Sequence, residues 1–93
     1  MFLTGNIISG EFDKQLNEFS LQKVKHFTTE SSIKESQLKS LYNYLINHRE
    51  ETDGQIITLY DQMPIRLSQE EINLFISDLE KVQTMYTQGD QSI

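Results

Sequence analysis

The chain has 93 residues, a net charge of −6 and no cysteine. This length supports one hydrophobic core and excludes two, so we expect a single domain over 1–93. The lack of cysteine excludes disulfides, thiolate metal sites and cysteine nucleophiles. Hydrophobic residues make up 37% of the chain and charged residues 24%, which is typical of a globular rather than a disordered protein.

The net charge is confined to the second part of the chain. Residues 1–50 carry equal numbers of basic and acidic side chains, whereas residues 51–93 carry only Arg66 and Lys81 against eight carboxylates. Phosphate binding needs clustered Lys and Arg, so nucleic-acid binding is disfavoured there. The acidic part is either a solvated face with favourable helix-start charges or a surface that docks on a basic groove of another protein.

The first third of the chain predicts a short strand followed by a helix. Apolar residues favour a strand over 1–8, with a turn or bulge at Gly5–Asn6. Ser9 is a good N-cap for a helix over 10–26. Residues 20–27 are open between the last turns of that helix and an extended segment. The apolar residues near helical spacing are Phe12, Leu16, Phe19, Val24 and Phe27.

A second helix is predicted over 33–49. Ser32 and Glu35 have the spacing of a capping box, in which each side chain accepts a hydrogen bond from the other residue's backbone N–H. The sequence EETDG then supplies a stop. The apolar stripe of this helix consists of Leu38, Leu41, Tyr42, Leu45 and Ile46.

The segment 55–67 predicts a β-hairpin. QIITLY and MPIRL are β-branched and aromatic where strands need such residues. A tight turn at Asp61–Gln62 would pair Tyr60 with Met63, Thr58 with Ile65 and Ile56 with Leu67. Pro64 lacks a backbone N–H, so its strand should be an edge strand or should point that nitrogen outward.

A third helix is predicted over 69–87, followed by a flexible tail over 88–93. Ser68 and Glu71 form another capping-box pattern. A continuous apolar stripe follows, consisting of Ile72, Phe75, Ile76, Leu79, Val82 and Tyr86. The expected fold is therefore α+β, with three helices packed against a β-hairpin to which the N-terminal strand could add a third strand.

The sequence predicts no catalytic, cofactor-binding or metal site. His48 stands near Glu50, Glu51 and Asp53, but this order lacks the second His one turn away that a zinc-peptidase helix needs. A surface or helix-end histidine is the simpler interpretation. Neighbouring carboxylates such as Glu70 and Glu71 point about 100° apart on a helix and do not converge for acid–base catalysis. We therefore do not expect an enzyme.

The sequence MPIRLSQEEINLFISDLEKV resembles the first half of a ribbon-helix-helix DNA-binding protein. It has a short strand with a basic residue at its centre, followed by a capped helix. The resemblance implies a strand that pairs with a second chain and enters the major groove, with Arg66 as the base-reading residue. The family needs a second helix, for which only TQGDQSI remains. DNA binding is therefore the third functional hypothesis.

The leading hypothesis is a small acidic regulator or inhibitor that binds another protein and occludes it sterically. The alternative is an assembly protein that forms a homodimer through its edge strand or third helix. No basic leader or apolar run of membrane-spanning length is present, so we expect a cytoplasmic protein. The absence of Ala and the abundance of Ile, Asn and Lys are typical of AT-rich genes, including those of phages and mobile elements. The predicted contact residues are Tyr60, Asp61, Gln62, Met63, Arg66, Glu70 and Glu71.

Overall fold

The computed structural model describes residues 1–58 and 64–86. The elements in chain order are β1 (Phe2–Thr4), β2 (Ile8–Asp13), β3 (Glu18–Val24), β4 (Phe27–Lys34), α1 (Glu35–Asn47), β5 (Gln55–Thr58), β6 (Pro64–Leu67) and α2 (Gln69–Gln83). The first four strands form an antiparallel sheet in the order β1-β2-β3-β4, and β5 and β6 form a separate two-stranded sheet. The α+β character is confirmed, but the predicted arrangement is wrong because the described residues form two helices rather than three.

The predicted helix over 10–26 is in fact an antiparallel hairpin of β2 and β3. Phe12 and Phe19 are paired across the two strands and are both buried, whereas Leu16 lies in the connecting loop and is 65% exposed. Phe12, Leu16 and Phe19 are separated by four and three residues, as they would be on one face of a helix. The spacing arises in the hairpin because its loop has about as many residues as one helical turn. The alternative of an extended segment within 20–27 is correct up to Val24, where β3 ends, and at Phe27, where β4 begins after a turn.

Two polar residues, Asp13 and Asn17, stabilise the loop between β2 and β3. The Asp13 carboxylate accepts hydrogen bonds from the backbone N–H groups of Gln15 and Leu16, at 2.9 and 3.1 Å. Asn17 then adopts a positive φ of 54°, a left-handed conformation that asparagine tolerates. These local contacts favour the turn over the helix.

Helix α1 lies within the predicted range 33–49, but it begins differently. The expected Ser32–Glu35 capping box does not form, because Ser32 is still part of β4. The helix begins after Lys34, whose backbone N–H donates to the Gln37 side-chain oxygen at 2.8 Å. Strand β4 therefore runs directly into the helix.

Helix α2 begins as the sequence predicts. The Ser68 hydroxyl accepts from the Glu71 backbone N–H at 3.2 Å, and the Glu71 carboxylate accepts from the Ser68 backbone N–H at 2.9 Å. The helix ends at Gln83, and the predicted tail over 88–93 lies outside the described residues.

One core joins both sheets and both helices. Its buried residues come from the inner faces of β2, β3 and β4, from β5 and β6, from Leu38 and Leu45 of α1, and from the apolar stripe of α2. The Phe12 and Tyr86 rings meet edge to face with their centroids 5.0 Å apart, and the Tyr86 hydroxyl donates to the Ile33 carbonyl at 2.5 Å. The N-terminal strand β1 pairs with β2, so it does not extend the β5–β6 hairpin as the sequence suggested.

The predicted register of that hairpin is wrong by one residue. The structure pairs Ile56 with Arg66 and Ile57 with Ile65, instead of Ile56 with Leu67. Because side chains alternate between the two faces of a strand, this shift turns Ile57 into the core and leaves Ile56 57% exposed. Strand β6 pairs only with β5 among the described residues, so Pro64 does lie on an edge strand.

Candidate functional site

The solvent face of the β5–β6 hairpin combines apolar and cationic side chains. The register places Ile56 opposite Arg66 and Thr58 opposite Pro64, and all four residues are exposed. The opposite face is buried in the core, which fixes the orientation of the hairpin. Ile56 is therefore held in an exposed position beside a guanidinium group by the packing of its neighbours.

The predicted contact residues fall into two groups. Arg66 and Glu70 are exposed, on β6 and in the first turn of α2. Glu71 is instead engaged within the fold, through the helix cap and through an ion pair with Lys25. The remaining predicted contact residues lie outside the described residues, and these are Tyr60, Asp61, Gln62 and Met63.

Lys25 connects the β3–β4 turn to the hairpin and to α2. Its ammonium group donates to the Arg66 carbonyl at 3.2 Å and lies 3.1 Å from the Glu71 carboxylate. Its backbone has a positive φ of 58°, and its N–H donates to the Ile7 carbonyl at 2.6 Å. Lys25 thereby joins both the β1–β2 turn and the β3–β4 turn to the start of α2.

The electrostatic surroundings of Glu71 favour its charged form. The hydrogen bond from the Ser68 backbone N–H, assisted by the Lys25 ammonium, holds the pKa of Glu71 below its usual value against the opposing effect of burial. Glu71 therefore stabilises the junction between β6 and α2 as a carboxylate, and it is less accessible to a partner than Glu70.

Acidic side chains flank the base of the hairpin. The Gln69 amide donates to the Arg49 carbonyl at 3.2 Å, which holds the α1–β5 connection against the start of α2. In the same connection the Gly54 backbone lies so close to the end of β6 that a Cβ there would be 2.2 Å from the Leu67 carbonyl oxygen. The exposed carboxylates on these two segments are Glu50, Glu51, Asp53 and Glu70.

His48 belongs to a ring of side chains that joins the end of α1 to β5. Its Nδ1 lies 2.9 Å from a Glu51 oxygen, and its ring packs on Tyr44 with centroids 4.4 Å apart. The Tyr44 hydroxyl donates to the Gln55 side chain at 2.6 Å, and Gln55 in turn donates to Glu51. In the ranges that the structure describes, no cluster of His, Asp and Glu could hold a metal ion.

Sequence reasoning missed the role of Asp78. Its carboxylate is completely buried and accepts hydrogen bonds from the backbone N–H groups of Asn6, Ile7 and Ile8, at 2.8, 2.8 and 3.2 Å. Asp78 lies three residues after Phe75 and four before Val82, within the apolar stripe of α2. That position, unusual for a charged residue, was the signal available in the sequence.

Comparisons with protein-family models, curated proteins and solved structures gave no match to the chain. Neither helix of the described residues has the length and apolarity needed to cross a membrane. The ribbon-helix-helix resemblance meets a difference in the fold, since β6 pairs with β5 of its own chain whereas that family's ribbon joins two chains.

Proposed function

We propose that the chain is a small acidic regulator or inhibitor that binds another protein and blocks its surface, without catalysis of its own. The observation that carries the proposal is the exposed pair of Ile56 and Arg66 on the hairpin. Interface centres are enriched in apolar side chains and Arg, and their rims are polar. The hairpin face has this composition, with Glu50, Asp53 and Glu70 on the neighbouring segments.

The charge of these flanking segments defines the chemistry of the partner. A complementary surface would carry Lys or Arg around an apolar recess that receives Ile56, because opposite charges at the rim accelerate association and exclude wrong partners. The contacts of Lys25 with Arg66 and Glu71 hold the hairpin to the start of α2, and such preorganisation reduces the conformational entropy lost on binding. The proposal places this interaction in the cytoplasm, with a phage or mobile element as the source of the gene.

Site-specific photo-crosslinking tests the surface directly. A photoreactive phenylalanine analogue at position 56 should capture a protein from a lysate of the encoding organism, and the same analogue at position 16 should not. Leu16 is a matched control because it is also an exposed apolar residue, with 65% of its surface accessible. It lies in the β2–β3 loop, at the end of the four-stranded sheet opposite to the β3–β4 turn that contacts the hairpin. Capture at both positions, or at position 16 alone, would contradict binding through the hairpin.

A homodimer is the second candidate. The predicted edge strand β6 pairs only with β5 in the part of the chain that the structure describes, which supports pairing of its other edge with a second copy. Helix α2 is less suited, because its outward residues Asn73, Glu80 and Lys81 are polar. Light scattering across a concentration series separates the candidates, since a mass that stays at that of the monomer contradicts the dimer.

A further inference from the structure

A groove lies at the end of the four-stranded sheet where the β1–β2 and β3–β4 turns adjoin. It has a volume of about 510 Å³ and is lined by residues 4–9, Lys23, Lys25, His26 and Glu71. This volume is within the range of small-molecule sites and exceeds what a single inorganic ion requires. The groove adjoins the base of the hairpin, because Lys25 in its lining also donates to the Arg66 carbonyl.

The walls of the groove differ in charge from the rest of this acidic chain. Residues 1–10 and 19–29 contain no Asp or Glu. The Glu71 carboxylate in the lining is engaged by Lys25 at 3.1 Å. Within the described ranges Lys23 forms no ion pair, and Lys25 is paired with Glu71, so the side chains that line the groove carry one net positive charge.

The strand register brings hydroxyl groups to that ammonium group. Thr4 is paired with Ser9 on the adjacent strand, and Ser9 is paired with Lys23 on the next. Paired residues of antiparallel strands point to the same face with Cβ atoms about 5 Å apart, so the three side chains form one row along the wall. The exposed His26 imidazole lines the same groove. Hydroxyl, ammonium and imidazole groups are hydrogen-bond donors to anionic oxygens.

We propose that this groove binds the phosphate group of a small phosphorylated molecule. The Lys23 ammonium provides the charge-assisted contact, the Thr4 and Ser9 hydroxyls donate to the remaining phosphate oxygens, and the rest of the groove accommodates the organic part of the ligand. This inference does not rest on the proposed protein-binding function, because Thr4, Ser9 and Lys23 are not among the predicted contact residues.

Amide chemical shifts of the full chain, titrated at constant ionic strength, test the site with three probes: glycerol phosphate, inorganic phosphate and glycerol. We expect saturable shifts at residues 4–9 and 23–26 with glycerol phosphate and none with glycerol. Tighter binding of glycerol phosphate than of inorganic phosphate assigns the site to a phosphate ester, and equal binding assigns it to the free ion. Shifts that do not saturate, or that lie elsewhere, would overturn the proposal.

Charge-removing variants identify the residues that bind. Lys23→Gln should weaken glycerol phosphate binding about tenfold, as expected for the loss of one charge-assisted hydrogen bond, and Ser9→Ala should weaken it by a smaller factor. Lys14→Gln is the matched control, because Lys14 is exposed in the loop at the opposite end of the sheet. An equal loss of affinity in Lys14→Gln and Lys23→Gln would show unspecific attraction and refute the site. The same spectra report whether each variant is folded.

Discussion

Asp78 binds Asn6 through two hydrogen bonds to one carboxylate oxygen, from the Asn6 backbone N–H at 2.8 Å and from its side-chain amide at 3.1 Å. The other oxygen accepts from Ile7 and Ile8. A buried carboxylate is stable only when hydrogen bonds replace its hydration, and these four donors do so. The contact joins α2 to the turn that lies 72 residues earlier in the chain.

Replacing Asp78 by Asn should destabilise the fold by about 2–4 kcal/mol, because the new amide group would face backbone N–H donors and leave them unpaired. Urea unfolding followed by circular dichroism measures this free energy. The control Glu70→Gln changes an exposed carboxyl of the same helix, and its effect should stay within about 0.5 kcal/mol. Equal effects of the two substitutions would mean that the Asp78 contact contributes no net stability.

Contacts between residues close in sequence could be predicted from the chain, whereas contacts between distant residues could not. The start of α2 was predictable because Ser68 and Glu71 are three residues apart and bond each other. The Asp78 contact was not, because its donors lie at the other end of the sequence. In the candidate site, the predicted contact residues Arg66 and Glu70 are exposed, whereas the contact of Lys25 with Arg66 spans 41 residues and depends on the tertiary fold.

The missed strands β2 and β3 have a different cause. Their apolar residues recur at intervals that suit a helix, and only the alternation within each strand separates the two structures. In β3, Phe19 and Leu21 are buried while Gln22 and Lys23 are exposed, and a register shift between Leu21 and Lys23 interrupts the alternation. A β-bulge of this kind obscures the two-residue period in the sequence.

Glu71 should make stability depend on pH in the acidic range. Its pKa is lowered by the Ser68 backbone N–H and by Lys25, so its contribution is fully present above the unfolded value of about 4.3 and is lost as the pH falls through the folded pKa. The difference in unfolding free energy between wild type and Glu71→Gln should therefore be larger at pH 7 than at pH 2. Urea unfolding at both pH values measures it, and a difference independent of pH would contradict the assignment.

Tyr86 should make stability depend on pH in the alkaline range. Burial raises the pKa of Tyr86 to about 12, so the neutral phenol stabilises the fold fully below the unfolded value of about 10, and this contribution is lost as the pH rises through 12. Tyr86→Phe should remove this loss and cost about 1 kcal/mol at pH 7, since the hydrogen bond to Ile33 disappears. Denaturation at pH 7 and pH 11 tests both expectations, and an unchanged alkaline loss in the variant would assign it to another group.

Charge reversal at Glu70 tests the electrostatic part of the proposed interface. Glu70→Lys should weaken binding of the captured partner by about three- to tenfold at low salt, with a smaller effect at high salt, because rim charges act through screened long-range attraction. Isothermal titration at two salt concentrations measures both quantities. Glu80→Lys, on an exposed part of α2 beyond the predicted contact residues, changes the net charge by the same amount, and as the control it should leave the affinity within about twofold. Stronger binding by Glu70→Lys would exclude a basic partner.

Two neighbouring isoleucines test the register of the hairpin. Ile57→Thr should cost about 2–4 kcal/mol, because Ile57 is buried and the substitution places a hydroxyl group in the core. Ile56→Thr should change stability by less than about 0.5 kcal/mol, since position 56 faces solvent and threonine retains the β-branched shape. Thermal or urea unfolding of both variants decides between the registers. The reverse order of effects would support the pairing of Ile56 with Leu67 and would remove Ile56 from the proposed interface.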